Sequence, residues 1–526
     1  MKVRLLMVLL ALGFMAQAQT VFVEGKQSGV WDADTVVVTG DVKIEDTLLI
    51  SPGVTVLFDG FYTIQVLEGT SFRAEGTDTE PIVFTVADTT GFSVFNQGCG
   101  GWNGFLLNKA ERVRFDHCLL QYAKAADTLD RFGGALNVLD CHDVELRHTT
   151  LRCNFSREHG GALNAENSTL CFSHCAVNEN LLYTSDPTYA MYGAGLRFLK
   201  CDVAMSDMEF RGNYGPTSIW GGMSLDSCSV VLDRAVFTDN IAINGGGFYI
   251  MRCNDKECRF SNLLVVNNHS RHFAGGFAFA DASPDVYNAT VYGNSSEGVN
   301  CNGVFFYQYS SPKMNNCIIY GNYPDSLSAI GDTIQMWLWT FDDYAPEFRN
   351  CLIENGMDAI TGDEYIHVFE DIIDADPCFV DPETLNFRLR AESPCRDAGL
   401  VTLPDFLLNG TDLDGMPRVA NQRIDLGPYE YSANDVSQQA ARSSASLIGN
   451  PLNAQSRLEF RLTEAGPVSL HVYDLTGRRV VSKELGRKTV GNHTFDLGFM
   501  TEDPKAGLYL IELVTPERTV TFKAIR

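Results

Sequence analysis

Between about residues 110 and 355 the apolar positions follow one repeating template: an apolar residue, further inward candidates three and five places on, then asparagine at eight. Leu232, Ala235, Phe237 and Asn240 set the register. It returns as Leu146, Thr149, Leu151, Asn154; Phe172, Cys175, Val177, Asn180; and Met205, Met208, Phe210, Asn213. Further copies are Phe260, Leu263, Val265, Asn268; Val286, Ala289, Val291, Asn294; and Met314, Cys317, Ile319, Asn322. Phe115, Cys118, Leu120 and Phe348, Cys351, Ile353 fit without the asparagine. Apolar positions two apart, bounded by glycine and asparagine turns, suit short strands and break helices. Helical repeats are therefore excluded.

A second landmark keeps the same step. Gly133-Gly134-Ala135-Leu136 recurs as Gly160-Gly161, Gly193-Ala194-Gly195, Gly221-Gly222, Gly245-Gly246-Gly247, Gly275-Gly276 and, degraded, Asn302-Gly303. The later glycines step by 27, 34, 27, 25, 29 and 27 residues, the period of a solenoid. Two or three short strands per turn would stack on their counterparts at about 4.8 Å per rung, so that about a dozen rungs make a rod roughly 55 to 60 Å long. The fifth-place column, Leu, Leu, Val, Phe, Phe, Val, Val, Ile, Ile, then forms a continuous dry core that each rung buries only because its neighbours cover it. In register with these columns, the glycine pair is a turn-and-packing device.

Upstream, 35–39, 48–50, 54–58, 63–66 and 82–86 read as short strands separated by glycine, proline or aspartate. Ser51-Pro52-Gly53, Ala74-Glu75-Gly76-Thr77, Pro81-Ile82-Val83-Phe84 and Gly101-Trp102-Asn103-Gly104 resemble the opening rungs of secreted bacterial right-handed parallel β-helix proteins. The glycine pairs with the Phe-x-x-Asn element (Phe210 to Asn213, Phe237 to Asn240) resemble the repeats of polymorphic outer-membrane proteins, β-helical adhesins. At 374–431, Asp374-Ala375-Asp376-Pro377-Cys378-Phe379, Ser393-Pro394-Cys395-Arg396-Asp397, Asp412-Leu413-Asp414-Gly415 and Ile424-Asp425-Leu426-Gly427 are similar to the terminal segment of choice-of-anchor β-helix surface proteins. That resemblance implies a segment closing the solenoid's last edge, which would otherwise invite aggregation. Cys378 and Cys395 stand where two strands could pair, and a disulfide between them is expected.

Residues 432–446, rich in Ser, Ala and Gln, read as a linker. Alternating strands with glycine turns predict a small β-sandwich over 447–526. Asn450-Pro451, Asp474, Gly477-Arg478, Gly507 and Tyr509 carry a resemblance to the C-terminal sorting domain of type IX secretion cargo. It implies the type IX machinery as a partner, export to the outer-membrane surface or beyond, removal of the tail near the linker and attachment to lipopolysaccharide. The reading is all-β: a signal peptide (1–18), opening rungs and cap (19–110), central repeats (111–373), a closing segment (374–431), a linker, and the sandwich.

Lys2 and Arg4, the apolar run 5–15 and Ala16-Gln17-Ala18 make the secretory signal, its core too short for a permanent span. The net charge of −26 over 526 residues repels nucleic-acid phosphates and anionic lipid. Fifteen cysteines are an odd count for an oxidising compartment. Cys141, Cys201, Cys228 and Cys253 fall where other repeats have Ser168, Ser283 and Ser310, as expected of a small, soft residue filling one interior column. Neither CxxC spacing nor a Cys/His cluster of metal-ligand type is present, so no cofactor is expected.

Candidate chemistry is sparse. The asparagine column could bind sugar hydroxyls, but a stacked amide ladder inside a turn is the commoner use. Right-handed β-helices include polysaccharide lyases and hydrolases, which need clustered carboxylates with calcium and a basic residue, or opposed carboxylate pairs. No such constellation repeats on one face. Arg157, Glu158 and His159, and His269, Arg271 and His272, occupy the same exposed turn of different rungs and are the ligand-surface candidates. Asp412-x-Asp414-Gly415 could hold Ca2+, although it lacks the later glutamate of a full calcium loop. The insert 181–192 and Trp337, Trp339, Phe341 and Tyr344 could form an aromatic sugar-binding surface or an ordinary rung strand. The reading is a monomeric cell-surface β-helix that binds a glycan or cell-surface ligand, without an identifiable catalytic site. The alternative is a polysaccharide lyase or glycoside hydrolase on the same fold.

Overall fold

The computed structural model describes residues 19–93, 98–126, 132–184, 191–298, 301–323, 335–341, 343–362, 366–419, 423–432, 444–448, 456–462, 465–474, 479–498, 508–516 and 519–525. The segment 1–18 read as a signal peptide lies outside them, as do Asn450, Pro451, Gly477, Arg478 and Gly507 of the residues read as a sorting motif.

Among the described residues thirty strands join one parallel network in which strands pair with their equivalents in neighbouring turns. The fold is a right-handed parallel β-helix with three sheets along its length. In a central turn the first sheet takes Met223–Asp226, and the second and third share Ser229–Thr238, bent between them at Arg234. Register is held residue for residue: Leu232 pairs with Met205 and Phe260, and Phe237 with Phe210 and Val265. Alternation aims these side chains inward. Phe210, Phe237, Val265, Val291 and Ile319 are fully buried, and Phe210 stacks on Phe237 at 4.4 Å with planes 2° apart. Burying each such side chain contributes about 1.5–3 kcal/mol, which a lone turn could not realise.

The glycine pair has two separate reasons. Gly133 sits at φ +63°, and a Cβ there would come within 2.0 Å of the Leu136 carbonyl oxygen. The second glycine packs on the neighbouring turn: a Cβ on Gly161 would lie 1.9 Å from the Ala194 carbonyl oxygen. The asparagine column is the internal ladder: Asn154, Asn180, Asn213, Asn240, Asn268, Asn294 and Asn322 are all fully buried. Each side-chain amide donates to the next side-chain oxygen at 2.8–3.0 Å, and the last donates to Gln335 Oε1 at 2.7 Å. The cysteine column is likewise interior, with Cys141, Cys201, Cys228 and Cys253 buried. Here Ser168 Oγ accepts the Cys141 N–H at 3.0 Å and Cys228 Sγ the Cys201 N–H at 3.3 Å. At one turn buried Ala282, not Ser283, takes the place.

Segment 374–431 folds back along the third sheet, where Phe379, Phe387, Leu389, Cys395, Leu426 and Tyr429 cover Leu264, Val266, Ile318 and Leu352, while Ile360, Ile366, Phe369 and Ile372 pack against the core. One expectation is corrected. The Cys378–Cys395 disulfide is not formed. Both thiols are free, Cys395 buried and Cys378 half-buried. The antiparallel pair in this segment is Phe379–Asp381 with Asn386–Leu389, one residue beyond Cys378 and short of Cys395.

The C-terminal unit is antiparallel, with a three-stranded and a four-stranded sheet. Leu458, Phe460, Leu470, Val472, Ile511, Leu513 and Tyr509 form its core. Its first strand, Ser444–Ile448, begins inside the stretch read as linker, and Asp474 ends the strand Gly466–Asp474. Among the described residues no helix is long and apolar enough to cross a membrane.

Candidate functional site on the outer face of the first sheet

Along the first sheet, positions two and four of each strand face outward, and their character changes along the rod. Toward the N-terminal turns most are polar, Asn137, Asn164 with Glu166, Arg197, and Ser224 with Asp226, with Leu139 and Leu199 between them. Arg197, only 7% exposed, donates to Asn164 Oδ1 at 2.8 Å and pairs with Glu166. Asn164 donates in turn to Asn137 Oδ1 at 3.0 Å. Arg252 Nε donates to Asp226 Oδ1 at 2.8 Å. Glu166 and Asp226 hold the same column two rungs apart, about 9.6 Å at the rung spacing, and each is matched by a guanidinium.

Toward the C-terminal turns the same positions become aromatic: Tyr249, then small Ala278 and Ala280, then Phe305 with Tyr307 and Trp337 with Trp339. Trp337 stacks on Phe305 at 4.9 Å and on Trp339 at 5.5 Å. Trp339 is 45% exposed, and Tyr309, Phe341 and Tyr344 beside it are also exposed. A second row of rings runs along the turn before the glycine pairs and ends on Tyr249 of the first sheet. Phe132, His159, Tyr192, Trp220 and Tyr249 stack in sequence at 5.1, 5.2, 4.2 and 4.4 Å.

The sequence candidates divide accordingly. His159 joins the ring row, where burial, then the Arg197 charge, lowers its pKa to about 3. It is a neutral ring with a solvent-shielded Nδ1 that has no hydrogen-bond partner. Arg157 and Glu158 are half-buried in the same turn. His269 contacts Ser295 Oγ at 3.1 Å and Glu297 at 3.6 Å, while Arg271 and His272 are exposed. Bridges His159 to Tyr192, Tyr192 to Trp220, Trp220 to Asn244, and Asn244 to Phe273 put the two triads four turns apart, roughly 19 Å. They do not converge.

Comparison with solved structures finds five matching chains. One is the periplasmic alginate epimerase AlgG, 10% identical, TM-score 0.26, covering 65% of this chain and 77% of that one. No family model and no curated protein matches.

Of the other candidates, the insert adds Leu181–Leu182 to a short side sheet and Tyr192 to the ring row, while 185–190 lie outside the described residues. Asp412 is buried, and its Oδ1 accepts the Asp414 and Met416 N–H groups at 2.9 and 2.7 Å. Asp414 is bound by Arg388. Those carboxylates are consumed by an Asx turn and a guanidinium, so the Ca2+ reading does not fit them. Sequence reasoning missed Glu166, Arg197, Asp226 and Arg252, and also a cluster of Asp116, His117 and His148. The signal was a shared offset: His117, His148 and His174 each stand two residues after the apolar landmark.

Proposed function

We propose that the protein is a surface-displayed β-helix that binds glycans along the outer face of the first sheet. The carrying observation is the exposed aromatic end of that face, Tyr309, Trp339, Phe341 and Tyr344, continuous with stacked Trp337 and Phe305. Planar rings on a rigid sheet offer flat apolar contact to sugar C–H faces, and the neighbouring asparagines and paired charges offer hydrogen bonds to hydroxyls. Both guanidiniums are neutralised by Glu166 and Asp226, and the chain carries −26 overall. Neutral glycans are thus favoured over polyuronates. Two carboxylates, each bound to arginine, fall short of the clustered carboxylates a lyase or hydrolase needs.

We also propose that the C-terminal sandwich directs type IX secretion, on the resemblance of its motif residues and strand order; deleting 447–526 should trap the protein in the periplasm. The glycan reading is tested on an array containing neutral and uronate polymers. Trp339→Ala with Tyr309→Ala should weaken retention at least tenfold, about 1.4 kcal/mol, and leave the unfolding midpoint unchanged. Wild-type retention of the double variant, or release of reducing ends or unsaturated sugar by the parent chain, would reject it.

A further inference from the structure

At the bend between the second and third sheets each turn places one residue in the left-handed region, and in three successive turns it is histidine: His117 at φ 47°, His148 at 44° and His174 at 53°. Their rings stack outward, His117 on His148 at 4.2 Å and His148 on His174 at 5.0 Å. They line a cleft of about 410 Å³ with Asp78, Thr77, Pro81 and Arg152. Beside these rings Asp116 Oδ1 lies 2.8 Å from His117 Nδ1 and shares a 3.1 Å hydrogen bond with His148 Nδ1. The three groups offer ligand atoms within 4.8 Å of one another.

We infer that Asp116, His117 and His148 form a binding site for a divalent first-row transition metal, Zn2+ or Ni2+, which ties two adjacent turns of the solenoid together. Three observations carry this. Ligand atoms about 2.0–2.2 Å from one ion, at 90–110° to each other, stand about 2.8–3.6 Å apart, and the two contacts made by Asp116, 2.8 and 3.1 Å, are of that size. His117 Nδ1 is shielded from solvent and makes no hydrogen bond, although a carboxylate oxygen lies 2.8 Å away, because that oxygen is off the N–H direction. A metal ion bridges such a pair at near a right angle, which a hydrogen bond cannot. Finally, Asp78 Oδ1 lies 3.0 Å from His117 Nε2, so a carboxylate takes the far N–H and leaves Nδ1 as the lone pair, the outer-shell arrangement that orients metal-bound histidine. Two imidazoles and one carboxylate suit zinc, nickel, cobalt or iron and not calcium. Stacked rings cannot both aim lone pairs at one point. His148, whose side chain is 42% exposed, has to turn about its Cβ–Cγ bond when the ion enters.

The test uses the mature chain without an affinity tag, titrated calorimetrically with Zn2+, Ni2+ and Ca2+, and with Co2+ followed by its visible absorption. One Zn2+ or Ni2+ per chain, a Co2+ spectrum with nitrogen ligation and no Ca2+ heat are expected. His148→Asn keeps the backbone geometry, since later turns place asparagine at this bend (Asn262, Asn288). It should raise the Zn2+ dissociation constant at least tenfold, and Asp116→Asn should do the same. His174→Asn, outside the three-ligand set, should change it less than threefold. Absence of stoichiometric binding, or binding untouched by His148→Asn in a chain with a native unfolding midpoint, would overturn the site.

Discussion

The asparagine ladder makes the most exacting demand on the fold, and Asn240→Ala tests it. Asn240 donates to the Phe210 carbonyl at 2.9 Å and to Asn268 Oδ1 at 2.8 Å. It accepts from the Asn213 backbone and side-chain nitrogens at 3.0 and 2.9 Å. All four bonds lie out of water. At about 1 kcal/mol net for each, alanine costs about 4 kcal/mol, and more if the orphaned groups keep their full desolvation penalty. Asn178→Ala is the matched control: its side chain makes two bonds at the surface, to Glu209 at 3.4 Å and from Arg211 N at 3.1 Å, and should cost under about 1 kcal/mol. Because a solenoid opens locally, the readout is hydrogen exchange of the Asn213 amide together with the urea midpoint of the whole chain. Asn240→Asp separates hydrogen bonding from packing, since it keeps the shape but sets an acceptor against Phe210 O and Asn268 Oδ1. It should be at least as damaging as alanine. If Asn240→Ala and Asn178→Ala fall within about 0.5 kcal/mol of each other, the ladder is not what holds these turns.

Two further outcomes follow from the fold-back segment and the thiols. Arg418 is fully buried and pairs with Glu430 at 3.1 Å, so Glu430→Ala should cost about 3–5 kcal/mol and open 374–431 to limited proteolysis. Burial raises the Glu430 pKa to about 8, and it also raises Asp412 and Asp425. A carboxyl raised on folding contributes stability below its unfolded pKa and loses it as pH climbs through the folded value. Proteolysis of the segment should therefore quicken between about pH 4.5 and 8, and Glu430→Gln should flatten that rise; a flat parent profile would refute the burial argument. Cys99 and Cys171 are exposed and Cys378 half-buried, whereas burial pushes Cys395 up to about 12. In the native chain maleimide should label the first three and spare Cys395 until denaturant is added; peptides joined through Cys378 and Cys395 would restore the disulfide.

What could be read from the chain alone was whatever repeats. The landmark, its third and fifth followers and the asparagine lie in one turn's local sequence, and stacking copies them in register, so period gave core, ladder and glycine turns together. The face of the first sheet did not repeat. Glu166, Arg197, Asp226 and Arg252 come from four different turns and meet only through stacking. The fold-back was legible in part. Ala176-Val177-Asn178 and Glu209-Phe210-Arg211 alternate, as a half-exposed strand should, but Leu263-Leu264-Val265-Val266 and Ile318-Ile319-Tyr320 are apolar on both faces. A strand apolar on both faces is covered on both, and here 374–431 supplies the cover.

The bend between the second and third sheets explains where that cover stops. Every turn needs a left-handed residue there, and the column runs His117, His148, His174, Asp207, Arg234, Asn262, Asn288, Asn316, Asn350. The four asparagines hold the folded-back backbone: Asn262 donates to Thr411 O, Asn288 to Asp425 O and Gly427 O, and Asn350 to Ala398 O, while Asn316 accepts from Leu400 N. A short amide satisfies the left-handed backbone and a passing strand at once. Arg234 cannot do this, because its guanidinium is engaged by Asp207 and Asp233. The switch from arginine to asparagine thus marks the limit of the cover. The histidine turns lie beyond it, and their rings remain open to a ligand from solvent.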